Sequence, residues 1–113
     1  MKKRIVEGIE VERGSGNVYA DLGLPGADEM LVKARLVTKI REIIKAHGWT
    51  QQEAAQVLGM PQPKLSNMLR GQFRGISEAK LMACLARLGR RVQIVIGPDP
   101  QVETTGVVEV IFA

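Results

Sequence analysis

Residues Thr50–Gly71 read TQQEAAQVLGMPQPKLSNMLRG, the spacing of two short helices joined by a tight turn. Ala54 and Ala55 are small, Leu58, Met60, Leu65 and Met68 are apolar, and Gly59 follows Ala55 by four residues. At Gly59 the chain must leave the first helix, commonly with a positive φ that is cheap only for glycine. Small residues let the two helices cross closely, so that the first holds the second proud of the surface, where it can enter a DNA major groove. Thr50 is placed to cap the first helix, and Glu53, three residues on, completes a capping box. Pro61 and Pro63 bracket the start of the second. A proline in a first turn gives up only N–H groups that have no intrahelical partner, which predicts a helix over 62–69 and none starting much earlier. Gly71 ends the pair.

Upstream, Asp28 is placed to cap a long helix reaching His47, with Glu29 near its positive end and Lys45 and His47 near its negative end. Leu31, Ala34, Val37, Ile40 or Arg41, and Ile44 recur at helical intervals, which sets Lys33, Lys39 and Glu42 on the opposite side. Gly48 ends this helix, and Trp49 is expected to plug the core between it and the next. Downstream, 72–76 is a loop, and Ser77 with Glu78 opens a fourth helix to about Leu88, with Leu81, Cys84, Leu85 and Leu88 on one face. Gly89 stops it. Val92, Ile94 and Ile96 then alternate with Arg91, Gln93 and Val95, a strand pattern. Gly97-Pro98-Asp99-Pro100 forces a turn, and Val107, Val108, Val110 and Ile111 are candidates for a second strand. A lone hairpin is marginal, so this one is expected either to pack on the helices or to find a strand in another subunit. Residues 1–26 read as an arm. Its weak strand pattern at Ile5-Val6 and Ile9–Val11 is interrupted by Gly8, Gly14-Ser15-Gly16 reads as a hinge, and Tyr19, Leu22 and Leu24 are placed to tack the arm onto the body. The predicted organisation is therefore an N-terminal arm (1–26), a helix-turn-helix domain (27–89) and a C-terminal strand or hairpin (90–113) available for dimerisation.

A chain of 113 residues with 45% hydrophobic and 25% charged residues has the composition of an ordinary folded domain. No apolar run reaches membrane-spanning length, and Met1-Lys2-Lys3-Arg4 is followed by a stretch too broken for a signal-peptide core, so the expected compartment is the cytoplasm. Sixteen Lys and Arg against twelve Asp and Glu give a net charge of +4, and its placement says more than its size. Between Lys64 and Arg91 the bases Lys64, Arg70, Arg74, Lys80, Arg87, Arg90 and Arg91 face only Glu78, a distribution suited to an anionic partner. The lone Cys84 cannot close an intrachain disulfide and reads as a buried thiol. His47 has no second His, Cys or Asp in metal-ligand spacing, and no Ser or Cys nucleophile has a histidine partner. Catalytic residues, metal and cofactor are all expected to be none.

By the docking logic of a helix-turn-helix, the first turns of the second helix face base edges while helix N-termini and flanking cations hold phosphates. Gln62, Lys64, Ser66 and Asn67 are the polar residues of that helix. Asn and Gln pair bidentately with adenine and Lys reaches guanine O6 or N7, so Gln62 and Lys64 lead as base readers, with Ser66 and Asn67 next. Thr50, Gln51, Arg70 and Arg74 are the phosphate candidates. Weighed against this, the same geometry also occurs as inert packing, a scaffold for a protein-interaction module.

The stretches Asn17–Gly23, His47–Ala55 and Gln62–Gly71 resemble the XRE family, the Cro and phage-repressor-like helix-turn-helix proteins, and more narrowly the HigA-type antitoxins encoded beside RelE/HigB-like toxins. The resemblance runs over about 17–96. It implies a mainly α, lambda-repressor-like helical bundle, a bacterial protein, and a homodimer on a palindromic double-stranded operator at its own promoter. It further implies neutralisation of a RelE/HigB-like mRNA endonuclease. Plain regulators without a toxin share the same core. The resemblance brings over Gln51, Gln62, Lys64, Ser66 and Asn67 as DNA contacts and supplies no catalytic residue.

Overall fold

Four helices make the body: α1 (Ala27–His47), α2 (Gln51–Leu58), α3 (Gln62–Leu69) and α4 (Glu78–Arg87). The structure, a computed structural model, describes residues 3–6, 9–12 and 26–113. The expected hinge at Gly14–Gly16 and the anchoring residues Tyr19, Leu22 and Leu24 lie outside these. At the N-terminal end the backbone of β1 (Lys3–Val6) pairs antiparallel with β2 (Ile9–Glu12), Lys3 opposite Glu12 and Val6 opposite Ile9. The helical body itself contains no strand.

The ends of α1 are set by two glycines in the left-handed region. Gly26 (φ 68°) is the N-terminal cap residue, its carbonyl accepting from the Met30 amide at 2.9 Å. Asp28, expected as the cap, instead sits inside the first turn with Glu29, where both acids face the positive helix end. At the other end Gly48 (φ 69°) turns the chain so that its amide and that of Trp49 bond back to Lys45 and Ile44. The buried face is Met30, Val32, Leu36, Val37, Ile40, Ile43 and Ile44, wider than the single stripe expected because α1 packs against both α4 and α3.

Lys33 is the clear departure from the sequence reading. Placed on the outer side by periodicity, it is only 4% exposed. Its ammonium donates to the Arg74 carbonyl at 2.7 Å and pairs with Glu29 at 3.3 Å and Glu78 at 4.0 Å. Burying an ammonium costs several kcal/mol unless it is paired, and these three oxygens are what allow it.

The other helices follow their local signals. Thr50 and Glu53 form the reciprocal capping box of α2, and Gly59 (φ 67°) ends that helix. The start of α3 falls between the two prolines as the first-turn argument requires, and Ser77 caps α4 by accepting from the Lys80 amide. Leu58, Leu65, Met68 and Leu81 join Ile40 as fully buried side chains, each contributing about 1.5–3 kcal/mol on burial.

The C-terminal strand or hairpin expected over 90–113 is not formed. The alternation fails physically: Val95 makes the second face of the 92–96 segment apolar as well, and no sheet is present in the helical body to receive either face. Ile94, Val95, Ile96, Val107 and Val108 are all exposed. Part of the tail returns to the body, where Gly106, Val107 and Val108 line a cleft with Asp28, Glu29, Val32 and Glu78. Val110 packs against the core, and the Phe112 ring lies under two cations of α1, 5.2 Å from Arg35 Cζ and 4.6 Å from Lys39 Nζ.

Candidate nucleic-acid interface

Leu65 and Met68 point α3 into the core and are wholly buried, so the opposite side of the helix is its outward face. At a hundred degrees per residue that face centres on Pro63, Asn67 and Arg70. Gln62 and Ser66 flank it on one side and Lys64 on the other. Gln62, Pro63, Lys64 and Arg70 are exposed, and Ser66 and Asn67 are half-buried. The four residues expected as base readers therefore lie on one short helix, two of them exposed and two half-buried.

The support of α3 is what lets it act as a reading element. α2 crosses it through Ala54, Ala55 and Leu58, all buried. Arg41 of α1 reaches 28 residues along the chain to donate to the Leu69 carbonyl, taking up one of the carbonyls that a helix C-terminus leaves unpaired. Arg87 of α4 does the same for α2, its Nε donating to the Val57 carbonyl at 3.1 Å. From sequence Arg41 is only an alternative to Ile40 in the helical stripe and Arg87 only one of the bases of 64–91, since spacing carries no sign of a partner so far along the chain.

The expected phosphate contacts divide. At the N-terminus of α2 the Thr50 hydroxyl accepts from the Glu53 amide at 3.1 Å and the Thr50 amide donates to the Glu53 carboxylate at 2.9 Å. Thr50 is thus largely spent on the cap, while the amides of Gln51 and Gln52 are the first-turn groups an anion would meet. The Glu53 carboxyl is held below its ordinary pKa, first by the Thr50 amide and then by the Thr50 hydroxyl. Beyond the C-terminal end of α3, Arg74 is exposed and its carbonyl anchors Lys33. The Arg70 guanidinium is not idle: it donates to the side-chain oxygen of Asn67.

The remaining chemistry is inert. Cys84 is buried, and that burial raises its thiol pKa against the smaller lowering effects of Lys80, Arg87 and Lys64. Trp49 is half-buried against the core and its ring stacks on His47 at 4.2 Å. Among the described residues no group of three or more His, Cys, Asp or Glu stands close enough to hold a metal ion, and no helix is long and apolar enough to cross a membrane.

Comparison with known proteins agrees with this geometry. A family model described as a helix-turn-helix domain matches residues 18–97. A solved structure whose name assigns it to the XRE family of transcriptional regulators superposes with a TM-score of 0.72 at 32% identity, over 79% of this chain and 100% of that one. No curated protein matches the chain.

Proposed function

We propose, from the premise that this chain belongs to the helix-turn-helix domain family, that it is a cytoplasmic, sequence-specific transcriptional repressor acting as a homodimer on a palindromic operator. One observation carries the reading: α3 is held by α2 and α1 and turns a polar, partly basic side to solvent, with Gln62 and Lys64 exposed and Ser66 and Asn67 half-buried on it. Its residue types match the acceptors and donors of base edges. In this reading Gln51, Arg70 and Arg74 are its phosphate contacts, and Thr50 serves them chiefly by fixing the start of α2. Replacing both Gln62 and Lys64 by alanine should abolish binding to the promoter duplex while leaving the thermal melt unchanged; sequence-specific binding that persists would remove α3 from the reading role.

Two finer parts belong to the same proposal. The dimer is supported by the exposed apolar tail, where Ile94 and Ile96 are 76% and 87% exposed; a cluster of this kind on a small domain marks a protein contact. The antitoxin role is supported by the resemblance of Thr50–Gly71 to HigA-type proteins. Its test is co-expression with the product of the neighbouring gene: co-purification of a small RelE/HigB-like protein and relief of its toxicity are expected, and a chain that purifies alone is a stand-alone regulator. Salt-independent binding, equal for promoter and random duplex, would instead favour a protein-interaction module.

A further inference from the structure

The Arg70–Asn67 hydrogen bond bears on which base the reading helix can accept. An arginine has only donors, so the atom of Asn67 that faces it is the carbonyl oxygen, whichever way the amide is drawn. Arg70 ends α3, and its own amide bonds back to the carbonyls of Ser66 and Asn67, while Arg41 holds the adjacent Leu69 carbonyl from α1. The guanidinium therefore sits on a fixed backbone one turn from Asn67. With its oxygen engaged, what the half-buried Asn67 has left to offer a ligand is its amino group, a donor.

An asparagine reads adenine bidentately by accepting from N6 and donating to N7. That pairing needs the oxygen Arg70 occupies; its second lone pair lies beside a cation, where the adenine amino group would meet a like-signed donor. What remains toward the groove is a pair of donors, the Asn67 amino group and the free N–H groups of Arg70. Acceptor-only edges suit them, above all guanine with O6 and N7 together.

Resting on the repressor reading above, we propose that Arg70 sets the polarity of Asn67, so that this position of α3 selects guanine and rejects adenine. Arg70 is then more than a phosphate contact: it is a positioning residue whose removal changes which base is chosen.

The experiment selects bound sequences from a randomised duplex library with the full chain and three variants, Asn67→Ala, Asn67→Asp and Arg70→Ala, each checked by helical content and melt. The wild type is expected to yield a site in which one position per half-site is guanine, favoured about tenfold or more. Asn67→Ala should flatten that position alone. Asn67→Asp keeps the contact to Arg70 but loses the outward donor, and should lose the guanine preference with the fold intact. Arg70→Ala frees the oxygen and should move the same position toward adenine, a change that loss of a structural contact or of one phosphate contact does not produce. Adenine in the wild-type site at the Asn67-dependent position, or an unchanged preference in Arg70→Ala, overturns the inference. An enriched site insensitive to Asn67 overturns it while leaving the repressor reading standing; a library with no enriched sequence overturns both.

Discussion

The guanidinium of Arg87 occupies the space in which a side chain at Gly59 would begin: a β-carbon there would stand 3.1 Å from Nη2 and 3.2 Å from Cζ. The same arginine bonds the Val57 carbonyl, so the turn between α2 and α3 is closed by a glycine with φ 67° and a cation laid over it. Gly59→Ala meets two penalties, the left-handed backbone, which costs an L residue about 1–2 kcal/mol, and a contact tight enough to displace the guanidinium. Urea denaturation should show a loss of about 2 kcal/mol. The double variant with Arg87→Ala should show less than the sum of the single effects, because removing the arginine relieves the contact while the backbone penalty stays. Strict additivity would mean that the two groups do not meet.

Lys33 ties α1 to the loop before α4 through the Arg74 carbonyl, with Glu29 and Glu78 beside it. Lys33→Ala strips a buried stem and leaves a part-buried carbonyl without its donor, for an expected cost of about 2 kcal/mol. Lys33→Met keeps the stem and should cost about 1 kcal/mol. The ranking is the test, read from urea midpoints at equal slope; an alanine variant as stable as wild type would show that the ammonium is not anchored.

What the sequence disclosed and what it hid divide along chain distance. Thr50 with Glu53, Ser77, Gly48 and Gly59 are patterns within a few residues, and helix ends are governed by just such local hydrogen bonds, so all four helices could be placed closely. Periodicity erred at Lys33 because its partner lies 41 residues away, and the roles of Arg41 and Arg87 escaped for the same reason, with partners 28 and 30 residues off. The tail misled differently. Its alternation was legible, but a strand also needs a neighbour, and nothing in 90–113 says whether one exists in the same chain. At the interface, the polar residues of α3 were readable from helical spacing against Leu65 and Met68, whereas the Arg70–Asn67 pairing depends on rotamers that spacing does not fix.

The capping box makes α2 acid-sensitive. The folded-state pKa of Glu53 is lowered, so its contribution to stability is fully present above the unfolded value of about 4.3 and is lost as pH falls through the lower folded value. Glu53→Gln keeps an acceptor for the Thr50 amide but carries no charge. Thermal melts from pH 7 to pH 3 should show the variant below wild type at neutral pH and the two curves converging in acid. A gap that stays constant down to pH 3 would assign the effect to geometry and not to charge.

The exposed tail gives the proposed dimer a specific test. In one protomer Ile94 and Ile96 lie open to water, so charging them removes nothing from the core. A strand edge shared with a second copy would bury these side chains, and a charge there would oppose association. Ile94→Glu combined with Ile96→Glu, which places like charges opposite one another across such an edge, should therefore melt like wild type yet sediment as a monomer at micromolar concentration, where wild type is expected to sediment as a dimer. The same variant should bind the operator at least about tenfold more weakly, because the second half-site is no longer reached intramolecularly. Reading helices on separate monomers would still recognise a single half-site, so a duplex carrying only one should bind both proteins equally. If the charged variant remains dimeric, the partner surface lies elsewhere, and the apolar tail is left for the toxin contact that the antitoxin reading requires.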